Sequence, residues 1–168
     1  MKGRLHFRQY LPLKRARFGI KMFCLAEHSG YIYRFRIYTG KEDPMTSVST
    51  ILPAECQSFG VSEKMVVYLT LPLLDHGYTL WMDNWYSSCK LYQYLHSRKT
   101  TACGTVRANR VPLEVRNSRP ATGQLCAYRS GPLLCMKFRD KKDIFMLTTQ
   151  HTESMADAPP KSWKAIHR

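Results

Sequence analysis

The chain has 168 residues, with 26 Lys and Arg against 12 Asp and Glu, a formal net charge of +14. Its 44% hydrophobic and 12% aromatic content excludes global disorder, and nine Gly and nine Pro exclude collagen-like or low-complexity sequence. No uninterrupted apolar run reaches the ~18 residues of a transmembrane helix, and Met1-Lys2-Gly3-Arg4-Leu5-His6-Phe7-Arg8 lacks the apolar stretch of a secretory signal.

In chain order, the first pattern is a β-hairpin. Phe18, Ile20, Met22 and Cys24 alternate along one strand, and Glu27-His28-Ser29-Gly30 supplies a turn. Tyr31, Tyr33, Phe35 and Ile37 then alternate with Arg34 and Arg36, a period of two with one apolar and one basic face. Residues 44–59 are aperiodic and read as loop. A helix is predicted from Ser62 to Leu74, with Ser62 as its cap and Pro72 kinking or shortening its end. Tyr78-Thr79-Leu80-Trp81-Met82 is a short apolar run read as a buried strand. A second helix follows from Ser88 to Arg98 with Leu91, Tyr94 and Leu95 inward, then a strand over Thr101–Val106.

Residues 107–124 read as a basic loop. Leu125–Tyr128, Leu133–Phe138 and Ile144–Thr149 read as antiparallel strands, and residues 151–168 as a tail. The organisation expected is therefore a core over 1–106, a β-rich basic segment over 107–150 and the tail. Trp81, Trp85, Tyr86 and Tyr94 read as core aromatics rather than base-stacking groups.

Charge is unevenly spread. Residues 1–50 hold ten Lys or Arg against three acids, residues 51–83 one against four, and residues 84–168 fifteen against five. Such a basic excess points to a polyanionic partner, nucleic acid first. The best phosphate-binding candidates are Arg107, Asn109, Arg110, Arg116 and Arg119: arginine offers a fork of donors to phosphate and Asn a neutral one. The six Cys show no C-x-x-C spacing and read as reduced thiols of a cytosolic or nuclear protein. The His spacings do not suggest a zinc site.

Asp83 follows the apolar run 78–82 directly, at the end of a strand where open α/β sheets place ligand-binding groups. A carboxylate there can hold Mg²⁺, and a pair of such ions can clamp the attacking and leaving oxygens of a phosphoryl transfer.

Asp83-Asn84-Trp85-Tyr86-Ser87-Ser88 resembles the D-N-[WFY]-[YF]-[ST]-S segment of piggyBac-type transposases. Lys2-Gly3-Arg4, Tyr10-Leu11-Pro12, Phe18-Gly19-Ile20-Lys21, Tyr38-Thr39-Gly40-Lys41, Leu74-Asp75-His76-Gly77-Tyr78 and Cys103-Gly104-Thr105-Val106-Arg107-Ala108-Asn109-Arg110 resemble further segments of that family, in its order. The named segments run from Lys2 to Arg110, and the resemblance extends over about residues 2–150. Arg15 departs from the family, which has Pro after Lys14, and this should loosen the loop entering the hairpin.

The resemblance implies an α/β, RNase H-like transposase domain with a β-rich insertion, and cut-and-paste DNA chemistry using Mg²⁺ held by three Asp. Asp83 matches the second of these. The first is expected upstream of Gly3-Arg4 and the third in a G-G-V-D motif after the insertion, neither present here. The chain is thus expected to be an incomplete domain, its first strand missing. It would be catalytically incomplete with residual DNA binding, or alternatively a domesticated non-catalytic DNA- or protein-interaction module. The expected partner is DNA (transposon ends or non-specific duplex) and not membrane, with a homodimer for the full-length protein and a nuclear location. A missing first strand would leave two sheet edges unpaired, at about 1–3 kcal/mol per buried orphan group, against a total stability of ~5–15 kcal/mol. The chain alone is then expected to be marginal or aggregation-prone.

Overall fold

The computed structural model describes residues 5–12, 14–40 and 51–152. Expectations that fall on Lys2-Gly3-Arg4, on Lys41, on residues 44–50 and on 153–168 lie outside these residues. Two short antiparallel pairs come first: β1 (Gln9–Tyr10) with β2 (Phe18–Gly19), and β3 (Met22–Ala26) with β4 (Ile32–Ile37). They are followed by α1 (Val61–Thr70), β5 (Thr79–Met82), α2 (Cys89–Ser97), β6 (Thr101–Thr105) and α3 (Leu113–Asn117). The last strands are β7 (Leu125–Ser130), β8 (Leu133–Arg139) and β9 (Asp143–Thr148). Strands β5 to β9 form one mixed sheet in the order β5-β6-β9-β8-β7, with only β5 and β6 parallel. Cys103 of β6 stands opposite Thr148 of β9, so the β-rich segment continues the sheet begun before residue 107.

The hairpin alternates with a period of two, but its basic face points inward. Phe23 is 2% exposed and its neighbour Met22 52%. On β4, Tyr33, Phe35 and Ile37 are exposed while Arg34 and Arg36 are half-buried. The reason lies in α1, which packs against both strands. Arg34 donates from Nη1 to the Tyr68 carbonyl at 3.0 Å. The guanidinium carbons of Arg34 and Arg36 lie 4.9 and 5.4 Å from the Tyr68 ring centroid, where the flat cation is attracted to the ring face. Phe18 belongs to the preceding pair with β1 and not to the strand of Met22.

Ser62 does not cap α1. The helix starts one residue earlier, Gly60 holds the N-cap position, and the Glu63 carboxylate accepts the Gly60 N–H at 2.6 Å. Ser62 is buried in the first turn. The α-helix stops at Thr70, and Leu71–Leu73 continue as a 3₁₀ turn around Pro72, which lacks the N–H of a further α-turn. Within 51–59, a stretch read as loop, Leu52, Cys56 and Phe59 are core residues around a 3₁₀ turn at Ala54–Cys56. The Phe59 ring meets Tyr94 edge-on at 5.5 Å.

Among the described residues β5 is an edge strand, exposed on one face, rather than a buried one. Leu80 faces the core, but Trp81 is 69% exposed and tilts against His151 at 5.7 Å. α2 begins after Ser88, whose Oγ accepts the Leu91 N–H at 3.2 Å, and Leu91, Tyr92, Tyr94 and Leu95 are buried. Segment 107–124 is not simply loop: it holds a 3₁₀ turn at Ala108–Arg110 and α3, entered from Pro112 with Val115 buried. Pro fits a helix start because the missing N–H would have no partner there. All six Cys are free thiols. Burial raises the Cys103 thiol and pushes Cys135 up to about 12, so both act as packing groups.

Candidate functional site: the Asp83 loop and two basic clusters

Asp83 follows β5 directly and opens the loop into α2. Its carbonyl accepts the N–H groups of Tyr86 and Ser87 at 3.0 and 3.3 Å and the Ser87 hydroxyl at 3.1 Å. Its Oδ1 accepts the Asn84 N–H at 2.5 Å. Ser87 is fully buried, and its hydroxyl lies 3.2 Å from the Tyr92 hydroxyl, whose phenol burial pushes well up. Arg110 closes the loop from outside, donating Nη1 to the carbonyls of Trp85 at 2.9 Å and Ser87 at 3.2 Å. Gly104 of β6 stands beside Met82, and a Cβ there would lie 2.0 Å from the Met82 carbonyl oxygen and 3.1 Å from the Tyr92 hydroxyl. The glycine of the C-G-T-V-R segment is therefore a requirement of the strand that delivers Asp83.

The loop also holds the hairpin. Trp85 stacks on Phe23 with centroids 5.3 Å apart at 17°, and Tyr86 meets Trp85 at 4.8 Å and 90°. The Lys21 ammonium lies 4.7, 4.8 and 5.2 Å from the ring centroids of Trp85, Phe23 and Tyr38. This cation–π box puts a lysine beside the Asp83 loop. Lys21 was visible in the sequence only as a motif letter, because its three rings come from three separate segments. Trp85 and Tyr86 are half-buried against the core and Tyr94 is buried, as core aromatics, whereas Trp81 faces solvent.

The five phosphate-binding candidates do not form one group. Arg107 approaches the loop, with Nε 3.4 Å from Asn84 Oδ1; Asn109 is exposed nearby; and Arg110 is engaged by loop carbonyls. Arg116 and Arg119 instead line a separate cavity of about 810 Å³ with Lys137, Arg139 and Asp143. The sequence signal for Lys137 and Arg139 is their spacing of two residues, which puts them on one face of β8; Asp143, at the start of β9, had none.

Asp83 is exposed, and among the described residues no ion pair engages it. Nor does any group of three or more His, Cys, Asp or Glu side chains there form a metal site. One carboxylate fits a single ligand of a hard cation but not a two-metal clamp. A cleft of about 90 Å³ opens beside it, lined by Cys24 and Leu25 of β3, Val66 and Leu69 of α1, and Leu80 and Asp83. Among the described residues β3 is bonded only to β4, and β5 only to β6, so two free strand edges border this cleft.

Residues 1–168 match the family described as transposase IS4, of the DDE type, and the chain belongs to it. DDE transposases are usually metal-dependent. The chain is more particularly a piggyBac-type transposase domain. It is 33% identical over 118 residues to PiggyBac transposable element-derived protein 3 of Homo sapiens, covering 67% of this chain and 18% of that protein. A second relative is the Chimeric ERCC6-PGBD3 protein of Homo sapiens, 33% identical over 118 residues, covering 67% of this chain and 10% of that protein. Among solved structures it resembles a piggyBac transposase synaptic complex with hairpin DNA, with a TM-score of 0.74 and 26% identity, over 94% of this chain and 32% of that one. The chain thus spans less than a fifth of the curated relatives. Among its described residues, no helix is long and apolar enough to cross a membrane.

Proposed function

We propose that this chain is the DNA-binding part of a transposase catalytic domain in which Asp83 supplies one carboxylate of a metal centre, and that the described residues leave that centre incomplete. The observation that carries this is Asp83 itself: a solvent-facing carboxylate at the end of β5, on a loop braced by Arg110, Ser87 and Gly104, and not part of any group of three or more His, Cys, Asp or Glu side chains among the described residues. Such bracing suits a ligand that must be held in place before metal and substrate arrive. When bound, Mg²⁺ would supply charge stabilisation to a phosphoryl transfer. This chain's own residues would orient one ligand and hold DNA phosphates near it through Arg107 and Asn109.

The gap between β3 and β5 supports the RNase H-like part of this reading. An extended segment from outside the described residues, bonded to β5 on one side and β3 on the other, would join the two sheets and could bring a second carboxylate beside Asp83. It would also satisfy the free edges, whose exposure is an aggregation hazard. The homodimer and nuclear location expected for the full-length protein belong to the same proposal. The alternative, a domesticated non-catalytic interaction module, draws on the exposed apolar face of Met22, Tyr33, Phe35 and Ile37, since large exposed apolar patches mark interaction sites.

The test is to incubate the chain with labelled hairpin-ended duplex and Mg²⁺. Binding without strand cleavage is expected. Cleavage that Asp83→Ala abolishes would show that the centre is complete.

A further inference from the structure

The cavity at the end of α3 carries an inference that rests on the DNA-binding reading and extends it to a second place. Its walls are the end of α3, residues 118–122, the β8 side chains of Lys137 and Arg139, and Asp143 at the start of β9. Four cations face one carboxylate. Lys137 is only 5% exposed; its ammonium donates to the carbonyls of Arg116 at 3.0 Å and Ser118 at 2.6 Å and pairs with Asp143 at 3.2 Å. Arg139 takes the other Asp143 oxygen at 2.6 Å. Two cations thus share one carboxylate, and Arg116 and Arg119 are exposed with no acidic partner among the described residues.

The wall is fixed before any ligand arrives. Lys137 ties residues 116–118 to β8 from within. Ser118 Oγ donates to the Val115 carbonyl at 2.7 Å, the Gly123 N–H donates to the Arg139 carbonyl at 2.7 Å, and the Arg139 N–H donates to the Gln124 carbonyl at 3.1 Å. The loop is held at both ends, so Arg116 and Arg119 project from a rigid frame. Planar guanidinium forks pair two donors with two phosphate oxygens, and a preformed cationic concavity of this size suits a sugar-phosphate backbone better than a point ion.

We infer that this cavity binds the phosphodiester backbone of DNA through Arg116 and Arg119, a contact separate from the Asp83 loop. Each neutralised phosphate contributes about 0.9 to the slope of log affinity against log salt on duplex DNA. Anisotropy titrations of a labelled duplex at several salt concentrations would compare the full chain with Arg116→Ala/Arg119→Ala and with Arg107→Ala. The double variant is expected to bind more weakly with a slope shallower by roughly 2, its thermal unfolding unchanged because both side chains are exposed. Unchanged affinity and slope in the double variant, with Arg107→Ala weakened, overturns the cavity while DNA binding stands. Absence of duplex binding by the unaltered chain at low salt overturns both. A nucleoside monophosphate that displaces the duplex at an equal phosphate concentration overturns the backbone assignment in favour of a small anion site.

Discussion

Gly104 and Met82 are packed so closely that only a glycine fits between their strands: a Cβ on Gly104 would lie 2.0 Å from the Met82 carbonyl oxygen. Because that oxygen is backbone, it has no rotamer by which to move aside. Gly104→Ala is expected to destabilise the chain by ~1–3 kcal/mol or more, read as a lower urea midpoint. Unaltered stability would mean that β5 and β6 are not held at this separation.

Arg110 predicts a structural rather than a DNA-binding phenotype. Its guanidinium satisfies the Trp85 and Ser87 carbonyls. Arg110→Ala leaves both short of a partner, at about 1–3 kcal/mol for a buried acceptor. Amide exchange in residues 84–88 should accelerate. Arg107→Ala, whose 3.4 Å contact to Asn84 is long and exposed, should leave that exchange rate unchanged.

Two carboxylates predict acid sensitivity. Arg98 holds the Asp75 carboxyl below its ordinary value through bonds of 2.5 to 3.1 Å, and Arg139 followed by Lys137 lower that of Asp143. A lowered folded value stabilises the chain above the unfolded value near 3.8, and that stabilisation is lost as pH falls through the folded value. Thermal midpoints should therefore fall below about pH 4, and the deficit of Asp75→Asn should shrink there. A deficit constant from pH 7 to pH 2 would contradict this.

The exposed hairpin face predicts self-association. Tyr33 and Phe35 of β4 are 46% and 59% exposed, on a two-stranded pair that has no further strand partner among the described residues, so the chain alone should scatter light and elute broadly on sizing. Tyr33→Lys/Phe35→Lys should reduce both. A monomeric, cooperatively unfolding wild-type chain would contradict the expected marginal stability.

How far the sequence was legible depended on how local the cause was. α2 was legible because Ser88 caps it and Leu91, Tyr94 and Leu95 recur on one face. The hairpin's alternation was legible too, but not which face turns inward, because that depends on Tyr68 in a distant helix. Leu52, Cys56 and Phe59 were missed because a 3₁₀ turn gives no periodicity. α3 left a weak signal in Pro112 followed by Glu114, masked by the surrounding arginines. At the site, Asp83 was legible from its position after an apolar run. The brace formed by Arg110, 25 and 23 residues from its carbonyls, was not. The separation of Arg116 and Arg119 from Arg107 depends on how β8 and β9 return to the sheet, which spacing along the chain does not encode.

The measurement that tests the central claim most directly is the affinity of the chain for duplex DNA as a function of salt. Log affinity should fall linearly and steeply with log salt, as counterions are released from the phosphates that its arginines neutralise. A flat response, or no binding at low salt, would contradict the account of this chain as the DNA-binding part of a transposase domain.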